Sequence, residues 1–235
     1  MYKKGIYKIL ANEPLTASVW RMVLEGDTEW IVRPGQFVNI SVCDCDARTL
    51  TLIYKVVGGG TEQMSRMAAG AELDLLTGLG NGFDTSNDAR RPLLVGGGVG
   101  VPPLYKLAKA LLAEGKPVSV VLGFNTADEI FYADEFRALG CDVHVATADG
   151  SAGTKGFVTT AIAGDGIDFD YFYACGPLPM LRALCDSVAQ DGQLSFEERM
   201  GCGFGACMGC SCKTKYGNKR ICKEGPVLTK GEIIW

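Results

Sequence analysis

The stretch CGFGACMGCSCKTKYGNKRIC, from Cys202 to Cys222, holds five of the chain's ten cysteines. With Cys202, Cys207, Cys210 and Cys222 as ligands the spacing is C-x4-C-x2-C-x11-C, the plant-type arrangement of four thiolates around a [2Fe-2S] cluster. Three thiolates must wrap one small inorganic core while the backbone turns sharply enough to aim N–H groups at its sulfurs. Gly201, Gly203, Gly205 and Gly209 interleave the cysteines and permit such turns. The fourth ligand follows a hairpin-like insert, Lys213 to Arg220, with Gly217-Asn218 at its tip. Cys212 is a fifth thiol within reach, and spacing alone selects Cys210 over it. A structural zinc would also take four thiolates, but zinc modules pair them as C-x2-4-C knuckles, whereas x4 followed by x2 makes a triple. A disulfide framework belongs to oxidising compartments, and nothing else in the chain looks secreted.

A second candidate lies at Gly96-Gly97-Gly98-Val99-Gly100-Val101-Pro102-Pro103. It follows a buried strand, Pro92 to Val95, and opens a helix, Pro102 to Glu114. In that position a glycine turn lets a pyrophosphate approach the backbone, and the helix N-terminus offers N–H groups and a positive dipole end. The letters are not G-x-G-x-x-G, and a plain tight turn is the bland alternative. Cys175-Gly176-Pro177 follows a later strand, at the carboxyl edge where such sheets bind ligands; here the bland alternative is a Gly-Pro turn that starts a helix. After the second strand, Gly123 to Glu129 carries no Arg or Lys to pair an extra phosphate, which favours NADH over NADPH.

Those residues need a frame, and the patterning supplies one. Ile6 to Leu10, Ser18 to Leu24, Gln36 to Ile40 and Leu50 to Val57 are short runs rich in β-branched and aromatic residues, which predicts a small antiparallel β-barrel. A helix, Thr61 to Ala69, interrupts it. From Arg91 strands alternate with helices: strands at Pro117 to Leu122, Cys141 to Thr147 and Tyr171 to Ala174, helices at Ala127 to Leu139, Phe157 to Ala163 and Leu178 to Ala189. That alternation means a parallel sheet covered on both faces. The expected organisation is an antiparallel barrel over residues 1–88, a dinucleotide-binding α/β domain over 89–193 and a cluster domain over 194–235.

At 235 residues with 47% hydrophobic content the chain can bury more than one core. A net charge of −4 without a basic run argues against nucleic acid. No run approaches the roughly 18 apolar residues of a membrane span, and the start lacks the apolar block of a signal peptide. Cys43, Cys45, Cys141, Cys175 and Cys185 stand apart in apolar surroundings, as buried free thiols do, which suits a cytoplasmic protein. His144, the single histidine, falls inside a strand and reads as a satisfied sheet residue. Glu197 and Glu198 read as a solvated face or cap, with one of them near a flavin as the alternative. For Trp235 the sequence offers no choice between core packing and a partner contact. No acid-base pair is placed for hydrolysis, and the catalytic residues are unknown at this level.

PGQFVNI (34–40), LTLIYKVVGGGT (50–61), TGLGNGF (77–83), LLVGGGVGVPPL (93–104), ACGPLPML (174–181) and the cysteine run together resemble the electron-transfer subunits of class 1B dihydroorotate dehydrogenase, of the ferredoxin-NADP reductase superfamily. The resemblance implies a barrel that binds FAD, a parallel domain that binds NAD, and a [2Fe-2S] tail facing a separate FMN-containing catalytic subunit that oxidises dihydroorotate. It implies a hetero-oligomer, of heterotetramer type, serving pyrimidine biosynthesis. Carried over by motif, Ile53, Tyr54, Lys55, Gly60 and Thr61 line the FAD, Cys202, Cys207, Cys210 and Cys222 bind iron, and Gly96, Gly97, Gly98 and Gly100 with Cys175, Gly176 and Pro177 face the nicotinamide dinucleotide. In one place the chain departs from the pattern. Where the family carries an Arg-Pro-Ile-Ser type segment, Ile40 runs straight into Ser41-Val42-Cys43-Asp44, and only Ser41 stands as a match. A flavin pyrophosphate then lacks its charge-assisted arginine contact.

A nicotinamide exchanges two electrons as hydride while a [2Fe-2S] cluster takes one at a time, so a flavin converter is required between them. Two rivals remain: a related reductase subunit serving sulfide, sulfite or ferredoxin, and a flavin-less, zinc-binding interaction subunit.

Overall fold

The computed structural model describes residues 2–38 and 40–235. Strands β1 (Lys3–Pro14), β2 (Val19–Glu25), β3 (Val42–Cys45), β4 (Thr49–Lys55) and β5 (Glu72–Thr77), with helix α1 (Gly59–Ser65) before β5, make the first sheet. Its order is β3-β4-β2-β1-β5 and every pair is antiparallel. Side chains alternate across it: Leu50, Leu52 and Tyr54 of β4 join Met22 and Leu24 in one core, while Ile53 points the other way into the core of the second sheet.

The expected barrel is realised as this sheet. Its edges β3 and β5 are tied through Phe37, which bridges Leu79 just past β5 and Ser41 just before β3. The strand expected over Gln36 to Ile40 shrinks to that bridge after the Gly35 turn (φ 82°), because Phe37 pairs antiparallel with Ser41 only four residues on, which leaves no run to lie along an edge. Asn39, within the PGQFVNI stretch, lies outside the described residues.

The second sheet follows from β6 (Pro92–Gly97), α2 (Pro102–Ala113), β7 (Ser119–Phe124), α3 (Ala133–Ala138), β8 (Asp142–Thr147), β9 (Thr154–Lys155), α4 (Val158–Gly164), β10 (Tyr171–Cys175), α5 (Leu178–Ser187) and β11 (Gly192–Ser195). The tail adds a hairpin of β12 (Ser211–Thr214) and β13 (Gly217–Arg220), then β14 (Val227–Thr229). The sheet order is β14-β11-β10-β6-β7-β8-β9, parallel from β11 to β9 with β14 antiparallel at the edge. All six residues of β6 are buried, as a central strand covered on both faces requires. From β6 the chain winds outward to β7 and β8, then crosses back to β10 on the other side of β6. The crevice between the ends of β6 and β10 is therefore the topological switch point.

Several elements differ from the sequence reading. The helix expected over Ala127 to Leu139 is a short 3-10 turn, Ala127–Glu129, followed by α3. Between them Phe131 and Tyr132 sink into the core, and Tyr132 takes φ 64°, which breaks the helix. Helix α1 starts before Thr61 because the Thr61 hydroxyl accepts from the Val57 and Gly58 N–H groups. The tail hairpin turns at Lys215-Tyr216, since Gly217 is already paired with Thr214. Strand β11 crosses residues 193 and 194, and β14 brings the tail back into the parallel sheet. Among the described residues no helix is long and apolar enough to cross a membrane.

Candidate functional site

A cleft of about 590 Å³ lies at the carboxyl ends of the parallel strands. Gly97, Gly98, Val99 and Gly100 bring the loop after β6 to it, and Gly176 and Pro177 the loop after β10. The two loops press on each other. A Cβ at Gly100 would lie 2.2 Å from the Cys175 carbonyl oxygen, and one at Gly97 would lie 2.5 Å from the Met180 sulfur. Gly98 is different: it has φ 52° and its Cβ position is open, so it faces the cleft. Helix α2 begins with Pro102 and Pro103, which have no N–H, and the Val101 N–H is bonded to the Gly98 carbonyl. The helix tip thus lacks the free N–H groups expected of it, and the backbone that lines the cleft is that of Gly97 to Gly100.

Two of the expected contacts stand behind this surface. Gly96 is enclosed by Val101 and Leu104. Cys175 is buried at 2% exposure, and desolvation pushes its thiol up to about 12; its contribution to the site is the carbonyl that forces a glycine at 100. Glu129 and Glu197 also line the cleft, with Lys55 as the one cation among the lining residues. Glu197 opens to solvent through the cleft, yet protein on its other sides raises its carboxyl above the ordinary range by desolvation. Phe157, at the N-cap of α4, lines the cleft with 71% of its surface exposed.

Lys55 is the link to the antiparallel sheet. A Cβ placed at Gly58, Gly59 or Gly60 meets nothing within 4 Å, so the turn after β4 is an open shelf beside that lysine. It leaves open backbone to a ligand. Ile53 and Tyr54, expected to line a flavin, are instead buried in opposite cores, and the Tyr54 hydroxyl donates to Asn12 Oδ1 at 3.0 Å. The Thr61 hydroxyl is turned into its own backbone, and Ser41 serves the Phe37 bridge.

In the tail the thiols fall into two pairs. The Ala206 and Cys207 N–H groups donate to Cys202 Sγ at 3.2 and 3.4 Å, and the Cys222 N–H donates to Cys210 Sγ at 3.4 Å. Backbone N–H groups, that of Cys207 foremost and then that of Phe204, pull the Cys202 thiol down to about 6. Burial followed by the Cys210 sulfur pushes Cys222 up. Among the described residues no three His, Cys, Asp or Glu side chains gather as a single-ion site. Two thiol pairs with N–H groups aimed at sulfur fit a two-iron cluster, which shares four thiolates between two irons. Cys212 stands on β12 opposite Lys219, and Cys210 is the one beside Cys222. The positive-φ turns fall on Gly203, Gly205 and Met208. Arg220 braces the loop through an ion pair with Glu224 and a 2.7 Å bond to the Gly205 carbonyl.

Asn81, within the TGLGNGF stretch, ties the first sheet to this tail. Its side chain donates to the Glu224 and Val227 carbonyls at 3.1 and 2.8 Å and accepts from Val227 N–H at 3.0 Å. The sequence reading left Asn81, Glu129 and Phe157 without a role. Phe157 stands in extended backbone at the N-cap of α4, before the buried Val158, Ala161 and Ile162, and is itself exposed. His144 sits between Asp165 and Asp142, 3.0 and 3.1 Å from its ring nitrogens.

Comparison with known proteins agrees with this geometry. Residues 94–186 match an oxidoreductase NAD-binding domain, and residues 197–234 match the iron-sulfur cluster binding domain of dihydroorotate dehydrogenase B. A dinucleotide domain joined to an iron-sulfur tail defines an iron-sulfur oxidoreductase. The chain is 43% identical to the dihydroorotate dehydrogenase B (NAD(+)) electron transfer subunit of Geobacillus sp. (strain WCH70), with all of both chains covered. It is 41% identical to the subunit of the same name from Fusobacterium nucleatum, over 94% of this chain and 95% of the relative. The chain belongs to this family of electron transfer subunits. The 258 aligned positions with the Geobacillus relative exceed the 235 residues here by 23, so that relative carries stretches this chain lacks. A solved structure of an NADH-dependent reduced ferredoxin-NADP oxidoreductase superposes with TM-score 0.87 at 29% identity, covering 98% of this chain and 90% of that one.

Proposed function

We propose that the chain carries electrons between an FMN-containing subunit that oxidises dihydroorotate and NAD+, as the electron transfer subunit of a dihydroorotate dehydrogenase in pyrimidine biosynthesis. The carrying observation is the joining of two half-sites in one chain of this family: a dinucleotide cleft at the switch point and paired thiols in the tail, linked through Asn81 and the β11–β14 pairing. In this reading the units are the antiparallel sheet, the parallel sheet with β14, and the cysteine loop and hairpin between β11 and β14. The complex is a cytoplasmic hetero-oligomer.

Cys202, Cys207, Cys210 and Cys222 would hold a [2Fe-2S] cluster, the Gly58–Gly60 shelf with Lys55 would hold FAD, and the loops at Gly98 and Gly176 would receive NAD(H). Bound there, the flavin supplies the conversion between hydride exchange with nicotinamide and single-electron exchange with the cluster. The chain's own residues order these groups in space. Gly98 and Val99 present backbone to a pyrophosphate, and Lys55 offers a cation where the family's arginine is absent. The amides of residues 206 and 207 favour negative charge on Cys202.

Cys207 is the exposed thiol of the four, which suits it to the side facing the partner. Replacing it by Ser should abolish NAD+ reduction by dihydroorotate in the assembled complex, while NADH oxidation by an artificial acceptor largely persists. Equal loss of both would contradict separate cluster and flavin roles.

A further inference from the structure

The charges of the chain are unevenly shared. Over the whole sequence 27 Asp and Glu outnumber 23 Lys and Arg, yet residues 201–235 carry six Lys and Arg against two Glu. Both of those carboxylates are engaged inside the tail: Glu224 pairs with Arg220, and the buried Glu232 pairs with Lys219. Lys215 donates to the Gly231 carbonyl at 2.9 Å, and Lys230 to the Val188 and Gln190 carbonyls. Lys213 and Lys223 are exposed, and among the described residues neither makes an ion pair.

These two lysines flank the thiol loop. The Ser211 N–H and hydroxyl donate to the Met208 carbonyl at 3.2 and 2.8 Å, which sets β12 against the loop, and Lys213, two residues on, faces the same way as Ser211. At the other end the Lys223 side chain crosses Gly205, where a Cβ would lie 2.7 Å from it. The carboxylate of Glu198 acts instead on Cys212, which points to the opposite face of β12 from Lys213. Along the loop between the lysines stand exposed apolar groups. Met208 is 54% exposed and Phe204 37%, and Tyr2, 50% exposed, meets the Phe204 ring with centroids 5.3 Å apart. The same loop bears Cys207, and the first sheet reaches it through Tyr2. An apolar centre of aromatic and Met side chains inside a charged rim has the anatomy of a protein interface.

We infer that Tyr2, Phe204 and Met208, rimmed by Lys213 and Lys223, dock the catalytic subunit, and that this partner meets them with an apolar centre inside an acidic rim. The inference rests on the electron-transfer reading and deepens it by naming the surface chemistry of the partner. A negative partner is drawn to the positive tail and repelled by the acidic remainder of the chain. The encounter is thereby oriented so that the thiol loop, and not the dinucleotide cleft, is presented to it. The rival role for the two lysines is to offset the negative charge of a cluster held by four thiolates, and experiment separates the two.

The test is the association rate of the full, cofactor-loaded chain with the FMN-containing catalytic subunit, measured across salt concentrations. Lys213→Glu and Lys223→Glu should each slow association by about tenfold at low salt, and the difference should vanish at high salt. Arg137→Glu makes the same charge change on α3, which packs on β8 at the far side of the parallel sheet from β14, and should leave the rate unchanged. Phe204→Ala should instead speed dissociation by about tenfold, with NADH oxidation by an artificial acceptor intact. If wild type associates and both lysine variants associate as fast as it does, the docking surface is wrong and the electron-transfer reading stands. A shifted midpoint potential of the iron-sulfur centre in those variants would then assign the lysines to the cluster. If wild type does not associate with the catalytic subunit, the electron-transfer reading falls and the docking surface with it.

Discussion

Glycines that look alike in the sequence have unlike reasons. Gly100 is glycine because another loop's carbonyl oxygen sits 2.2 Å from where its Cβ would be, and Gly98 because its backbone is left-handed beside open space. Gly100→Ala should therefore force the β6 and β10 loops apart and lower the thermal midpoint strongly. Gly98→Ala should cost about 1–2 kcal/mol of backbone strain and act mainly by raising the NADH requirement. Thermal melts alongside NADH titrations of both variants check this, and equal effects would contradict the assignment. The glycine run was legible as a loop at the strand ends because it is local in sequence. The difference between its members was not, because Cys175 approaches from a distant strand.

The elements show the same contrast. Strands rich in β-branched residues and the alternation after Arg91 revealed both sheets, and the cysteine spacing revealed the tail, since each is written within a short window. Strand β14 has three residues and owes its existence to pairing with β11, so no window contains its signal. The break before α3 depends on a tyrosine at positive φ, which local propensity does not foretell. The tie through Asn81 is likewise tertiary. Asn81→Ala would leave the Val227 N–H and two carbonyls without this partner, at about 1–3 kcal/mol for the unmet groups. The expected outcome is a lower thermal midpoint and faster loss of iron from the tail on chelator challenge. An unchanged iron-loss rate would mean that the tail holds its shape without the first sheet.

At the scale of the molecule, the two sheets and the tail form one frame, joined through Asn81 and the β11–β14 pairing. The parallel sheet supplies a crevice at its switch point, the antiparallel sheet brings Lys55 to it, and β14 anchors the thiol loop to the same frame. The most direct measurement is the visible absorption spectrum of the purified full-length chain before and after NADH. A flavin band with a broad iron-sulfur shoulder, both bleached by NADH, is the predicted result. Colourless protein carrying zinc, or iron-sulfur colour that NADH leaves unchanged, would contradict it.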